Sequence, residues 1–203
     1  MRWRTFVTLA LGSTLTADSS CDKEIRTRIG KANAAFGKLE KIGKDNGCSV
    51  KIKIRLYEAV VMSTLLYGAE TWPMTVANKK KLEAAHHRWL RRILHVSWKD
   101  MVTNKIIREK TGQDRLENII RKKRLNWMGH VARMSDDRRG KQVVNWTAEG
   151  RRGRGRPRKN WMGTVREDLR CLEMTVEDAV GAARDREEWR NCVARCAVLH
   201  GKD

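Results

Sequence analysis

The sequence predicts an all-α chain, on three observations. Apolar residues recur at helical spacing through most segments, only two prolines interrupt 203 residues, and Ser, Thr or Asn stands just before several apolar runs. Residues 22–41 place Ile25, Ile29, Ala32, Phe36 and Leu39 along one helix face, with Lys23, Arg26, Arg28, Lys31 and Lys38 between them. Asp45-Asn46-Gly47 breaks the chain, and Ser49 is placed to cap a second helix reaching about Tyr67. That segment is apolar on most sides (Ile54, Leu56, Tyr57, Val60, Val61, Leu65, Leu66), so it is expected at the buried centre. Gly68 and Trp72-Pro73 end it. Thr75 caps a third helix through His95, with Leu82, Ala85, Trp89 and Ile93 inward. Thr103 starts a short helix that stops at Thr111-Gly112, where glycine suits the C-terminal position. A longer helix follows from Asp114 to about Met134, with Leu116, Ile120, Trp127 and Val131 inward.

Residues 148–160 read as an exposed linker, with Gly150, Gly153, Gly155 and Pro157 among six Arg or Lys in positions 151–160. One helix begins near Asn160, burying Trp161, Val165, Leu169 and Leu172. A last one is capped by Thr175, with Asp178 three residues on in a capping-box pattern, and turns Val176, Ala179, Ala183, Trp189 and Val193 inward. The expected organisation is an irregular segment over 1–19, a helical unit over 20–72, a basic helical unit over 73–147, the linker over 148–160 and a terminal helical pair over 161–203.

Forty-four Lys or Arg face 24 Asp or Glu, a net charge of +20 with a pI near 10.3. An excess this large calls for an anionic partner: nucleic acid, an anionic membrane or an acidic protein. No stretch approaches the length that spans a bilayer, and no membrane partner is expected. The charge is unevenly placed. Residues 79–99 hold seven Lys or Arg and one Glu, whereas residues 171–203 hold five Lys or Arg against seven Asp or Glu. The terminal helices are therefore expected to pack, with the cationic footprint upstream.

Five cysteines (Cys21, Cys48, Cys171, Cys192, Cys196) at scattered spacings read as reduced intracellular thiols rather than a secreted disulfide framework. Arg2 and Arg4 before Phe6–Ala17 loosely mimic a signal peptide, but Gly12, Ser13, Thr14 and Thr16 dilute the apolar stretch. A nuclear or nucleoprotein-associated location is expected, not secretion.

The sharpest local signal is Gly150-Arg151-Arg152-Gly153-Arg154-Gly155-Arg156-Pro157-Arg158-Lys159. Its core, Arg154-Gly155-Arg156-Pro157, matches the AT-hook pattern of minor-groove binders. A narrow A·T groove has enhanced negative potential that draws in arginine, and Gly155 has no Cβ to hold the backbone off. Arg158 and Lys159 would meet phosphates. The alternatives are a solvated Arg/Gly linker that binds any polyanion, RNA included, and a linker without contacts. A second signal is Arg121-Lys122-Lys123-Arg124 at mid-helix, with Arg115 and Arg133. Its charges wrap round the helix, so at least one must snorkel past apolar neighbours. Arg88, Arg91 and Arg92 form a third. Among the tryptophans most fall at inward positions, leaving Trp146 and Trp161 beside the linker as candidates for stacking on bases.

No catalytic set is found. Polymerases and nucleases cluster carboxylates around two metal ions, but Asp136-Asp137 is followed by Arg138-Arg139-Gly140-Lys141 rather than an apolar strand. Cys192, Cys196 and His200 share a helix face but lack a fourth ligand, so packing is the better reading. No metal and no cofactor are expected.

The motifs together resemble a family. Leu66-Tyr67-Gly68-Ala69-Glu70-Thr71-Trp72 is similar to the block downstream of the polymerase palm in LINE-type (non-LTR) retrotransposon reverse transcriptases. Arg88–Leu94 with Ser97-Trp98-Lys99-Asp100, Arg124–Met134, Gly153–Arg158 with Trp161 and Asp168-Leu169, and Ala183-Arg184-Asp185-Arg186 with Trp189-Arg190 resemble the blocks that follow, in order. Leu11-Gly12-Ser13 is similar to the step that leaves the palm. The resemblance implies a thumb-like unit over 20–72 and the tail beyond it, with the palm carboxylates and endonuclease upstream of this chain. It implies a non-catalytic part that grips template–primer or target DNA. An inert product of a degraded element and a minor-groove DNA binder remain as alternatives; RNA-versus-DNA preference and oligomeric state stay open.

Overall fold

The computed structural model describes residues 8–10, 13–15, 21–43, 48–138, 140–142 and 160–199. The chain is all-α. The helices are α1 (Asp22–Gly43), α2 (Val50–Leu56), which continues through a π-helical stretch Tyr57–Met62 into α3 (Ser63–Leu65), then α4 (Val76–Ile93), α5 (Asn104–Thr111), α6 (Leu116–Ala132), α7 (Trp161–Arg170), α8 (Val176–Ala182) and α9 (Arg186–Leu199). Short 3₁₀ turns lie at Ala69–Thr71 and Trp98–Asp100. Two three-residue strands, Thr8–Ala10 and Ser13–Leu15, pair antiparallel and are the only strands among the described residues.

The expected caps form. Ser49, Thr75, Thr103, Asn160 and Thr175 each accept a backbone N–H from the first turn of their helix. Gly112 ends α5 at φ +64°, a left-handed conformation that glycine adopts without a Cβ penalty. Helix α4 ends the same way with His95 at φ +56°, Val96 N donating to Arg91 O at 2.9 Å. A histidine there costs about 1–2 kcal/mol.

The chain packs as two units, Met1–Gly68 with Thr75–Glu117, and Ala69–Met74 with Asn118–Asp203. This differs from the division expected at residues 72 and 73, because residues 75–117 join the N-terminal helices. Aromatic packing explains the join. Trp89 of α4 stacks on Phe36 of α1 with ring centroids 6.2 Å apart, Tyr57 meets Phe36 edge-on at 6.5 Å, and Trp89 Nε1 donates to Asn33 Oδ1. Ile25, Val61, Leu65, Leu90 and Ile107 complete a fully buried centre.

In the π-helical stretch the wider turn loosens the usual backbone ladder, and hydroxyls take up its carbonyls. Ser63 Oγ donates to Ala59 O at 2.6 Å, and Thr64 Oγ1 to Val60 O at 2.7 Å. The altered register leaves Val60 exposed, although the sequence pattern placed it inside.

Behind this stretch lies a buried polar pair. Tyr57 Oη is 2.7 Å from Nδ1 of His86, which has no exposed surface. Burial, reinforced by neighbouring His87, lowers the His86 pKa to about 3 and raises that of Tyr57, so both stay neutral. His87 is also pushed down, chiefly by burial, with Arg108 Nη1 3.2 Å from its Nε2. A histidine held neutral by the fold binds its proton on unfolding. Its stabilising contribution is complete above pH 6.5 and declines as pH falls from there toward 3. Urea titrations should show the first unit losing about 2 kcal/mol between pH 7 and pH 5. A flat profile in that window, above the carboxylate range, would refute this account.

The second unit is built on α6 to α9. Leu125 and Met128 of α6 pack with Val165 and Leu169 of α7, Ala179 of α8 and Trp189, Val193 and Cys196 of α9. The single last helix expected from Thr175 is in fact two. Helix α8 stops at Ala182, and Asp185 Oδ1 accepts from Glu187 N at 2.7 Å and Glu188 N at 3.2 Å, starting α9. The Thr175/Asp178 capping box at the head of α8 is present. Its hydrogen bonds hold the exposed Asp178 carboxyl below the usual carboxylate range.

Candidate nucleic-acid interface

Four consecutive cations cannot share one side of a helix, and in α6 they divide two and two. Lys122 and Lys123 are exposed. Arg121 and Arg124 face inward at 8% and 2% exposure, and both reach Asp168 of α7. Arg121 Nε donates to Oδ1 at 3.3 Å, and Arg124 Nη1 donates to Oδ2. Two guanidinium groups thus share one buried carboxylate. This corrects the expectation that Arg121 and Arg124 meet phosphate: a charge held in a dry ion pair is not presented to solvent. The outward face of α6 instead carries Lys122, Asn126 and His130 one turn apart, all exposed. Lys123 lies beside them with half-buried Trp127, whose ring centroid is 5.4 Å from that of His130.

Helix α4 divides its arginines too. Arg88 and Arg92 are exposed, the latter with Cζ 5.3 Å from the Phe36 ring centroid. Arg91 is half-buried and acts as a clamp: Nη2 donates to Val102 O at 2.6 Å and to Asn104 Oδ1 at 3.0 Å. Sequence pattern alone separates neither Arg91 from Arg92 nor Arg121 from Lys122, because the distinguishing partners are remote in sequence.

Arg151, Arg152, Arg154, Gly155, Arg156, Pro157, Arg158, Lys159 and Trp146 lie outside the described residues. Trp72, Trp89 and Trp189 are core residues. Trp161 is half-buried and donates from Nε1 to Glu70 O at 2.7 Å, so its indole N–H is already engaged. Trp98 is 79% exposed, and inward helical periodicity gave no sign of it.

Cys192 and Cys196 are buried among apolar residues, with burial pushing the Cys196 thiol up. His200 lies outside the described residues. Asp136 pairs with Lys141 at 2.7 Å, and that lysine draws its pKa down. Among the described residues no group of three or more His, Cys, Asp or Glu is arranged to hold a metal ion, and no helix is long and apolar enough to cross a membrane.

Fold and surface define a helical, cation-rich protein with exposed cations on two helices, Arg88 and Arg92 on α4 and Lys122 and Lys123 on α6. The chain is similar to an uncharacterized transposon-derived protein of Caenorhabditis elegans, at 29% identity over 199 aligned residues that cover 91% of this chain and 69% of the relative. That similarity supports a transposon origin. No protein-family model matches the chain, and no solved structure matches it.

Proposed function

We propose that the chain is a non-catalytic, nucleic-acid-gripping part of a retrotransposon RNA-directed DNA polymerase, the thumb-like helices and tail of a LINE-type element. It holds template–primer or target DNA by its phosphates. The observation that carries the reading is fixed positive charge: a net +20, with Arg88, Lys122 and Lys123 exposed on helices whose inward faces are packed. The ordered run of motif blocks and the similarity to a transposon-derived protein support the element it came from. Lysine and arginine that replace condensed counterions bind without reading sequence.

The test is an anisotropy titration of the full chain with duplex DNA and with structured RNA across a salt series. Neutralising six phosphates gives a log–log slope of about −5. Lys122→Ala/Lys123→Ala should make that slope shallower by about 2 and leave the melting temperature unchanged. A slope near zero for the unaltered chain would overturn the reading.

A further inference from the structure

The segment between α4 and α5 presents two large apolar side chains to water and is built to do so. Trp98 is 79% exposed and Met101 83%. The intervening turn is closed by a capping box, Ser97 N donating to Asp100 Oδ2 at 2.6 Å and Lys99 N donating to Ser97 Oγ at 3.0 Å. Met101 follows at φ +51° and His95 precedes at φ +56°, both in the left-handed region that side chains disfavour. Arg91 fastens the loop at both ends, accepting Val96 N on its carbonyl and donating its guanidinium to Val102 O. Water gains nothing from an indole held this way, so the loop points to a ligand.

The surroundings say which. From residue 91 to residue 105 the exposed cations are Arg92, Lys99 and Lys105, with exposed His95; the one acid, Asp100, is engaged by Ser97 N. Protein–protein interface cores are depleted in lysine. An aromatic platform among cations is the arrangement that holds single-stranded nucleic acid, with bases on the ring and phosphates on the lysines.

We propose that Trp98 is a base-stacking contact: an unpaired base lies on its exposed indole, and Arg92, Lys99 and Lys105 meet the flanking phosphates. This rests on the nucleic-acid reading above and adds a preference for unpaired strand. The probe is a short single-stranded oligonucleotide carrying 2-aminopurine at its centre, alone and annealed to its complement, titrated with the full chain. Trp98→Ala should weaken single-strand binding about tenfold and abolish quenching of the probe. It should leave duplex affinity, salt slope and melting temperature unchanged, and Trp98→Phe should restore most of the loss. Single-strand binding by Trp98→Ala equal to the unaltered chain, with the salt slope intact, overturns the stacking contact and leaves the phosphate grip standing. No binding of either probe by the unaltered chain removes both. A variant that changes self-association while strand affinity holds makes Trp98 a protein-docking residue, and a lower melting temperature makes it a structural one; each overturns the proposal.

Discussion

Asp168→Ala is expected to destabilise the second unit by about 3–5 kcal/mol, because it removes the carboxylate that two buried guanidinium groups share. Arg121 and Arg124 are 8% and 2% exposed and converge on this one carboxylate. The attraction between buried charges only roughly offsets the desolvation each charge suffers; removing the shared anion takes that attraction away and leaves the desolvation. Set against a typical domain stability of about 5–15 kcal/mol, the loss takes much of what there is. Urea unfolding should show a reduced midpoint with little salt dependence, since a buried pair is weakly screened. Replacing all three charges together, Arg121→Met, Arg124→Leu and Asp168→Leu, should cost far less than Asp168→Ala alone, as apolar groups need no partner. If the single variant proved as stable as the starting protein, the network would not be buried as described.

The contrast with Lys122 and Lys123 shows where sequence reasoning stops. Helix starts were legible because each depends on one hydroxyl or amide side chain within three residues of its partner, as at Ser49, Thr75, Thr103, Asn160 and Thr175. Inward residues of α4 were legible because Leu82, Ala85, Trp89 and Ile93 repeat at helical spacing, and all four are buried. Helix α6 was harder. Its Arg121–Arg124 run wraps the helix, so some of its cations must turn inward, but which two do so is decided by Asp168, 44 residues beyond Arg124. The helix break at Ala183 was missed because Ala179, Ala183 and Trp189 suit one helix nearly as well as two. The blocks that carry the family resemblance owe much of their composition to packing. Arg124 and Arg133 belong to one block, Asp168 and Ala183 to two others; Arg124 bonds Asp168, and Arg133 Nη1 donates to Ala183 O at 2.7 Å. Those motifs therefore speak for the fold, and the proposed phosphate grip rests on exposed cations such as Lys122, which lies outside them.

Gly129→Ala should destabilise the second unit by about 1–3 kcal/mol, although alanine is the better helix former by about 1 kcal/mol. Trp189 of α9 decides the sign. Its indole lies close to the α6 backbone at Gly129, 2% exposed, with Nε1 donating to Leu125 O at 3.0 Å. A Cβ built on Gly129 would fall inside contact distance of three indole atoms, Cε2 among them at 2.9 Å. The ring would have to lift, breaking its hydrogen bond and opening space between α6 and α9 where Leu125 and Val193 now close the core. Trp189→Ala removes the ring altogether and should cost about 3–5 kcal/mol. In the double variant the clash has no second partner, so Gly129→Ala should become neutral or mildly stabilising. A double-mutant cycle by urea denaturation reads that reversal directly as a coupling energy. Additive effects would mean that glycine is not there for the tryptophan. A reversal of sign would show that the helix gives up intrinsic propensity at Gly129 to seat one side chain of another helix.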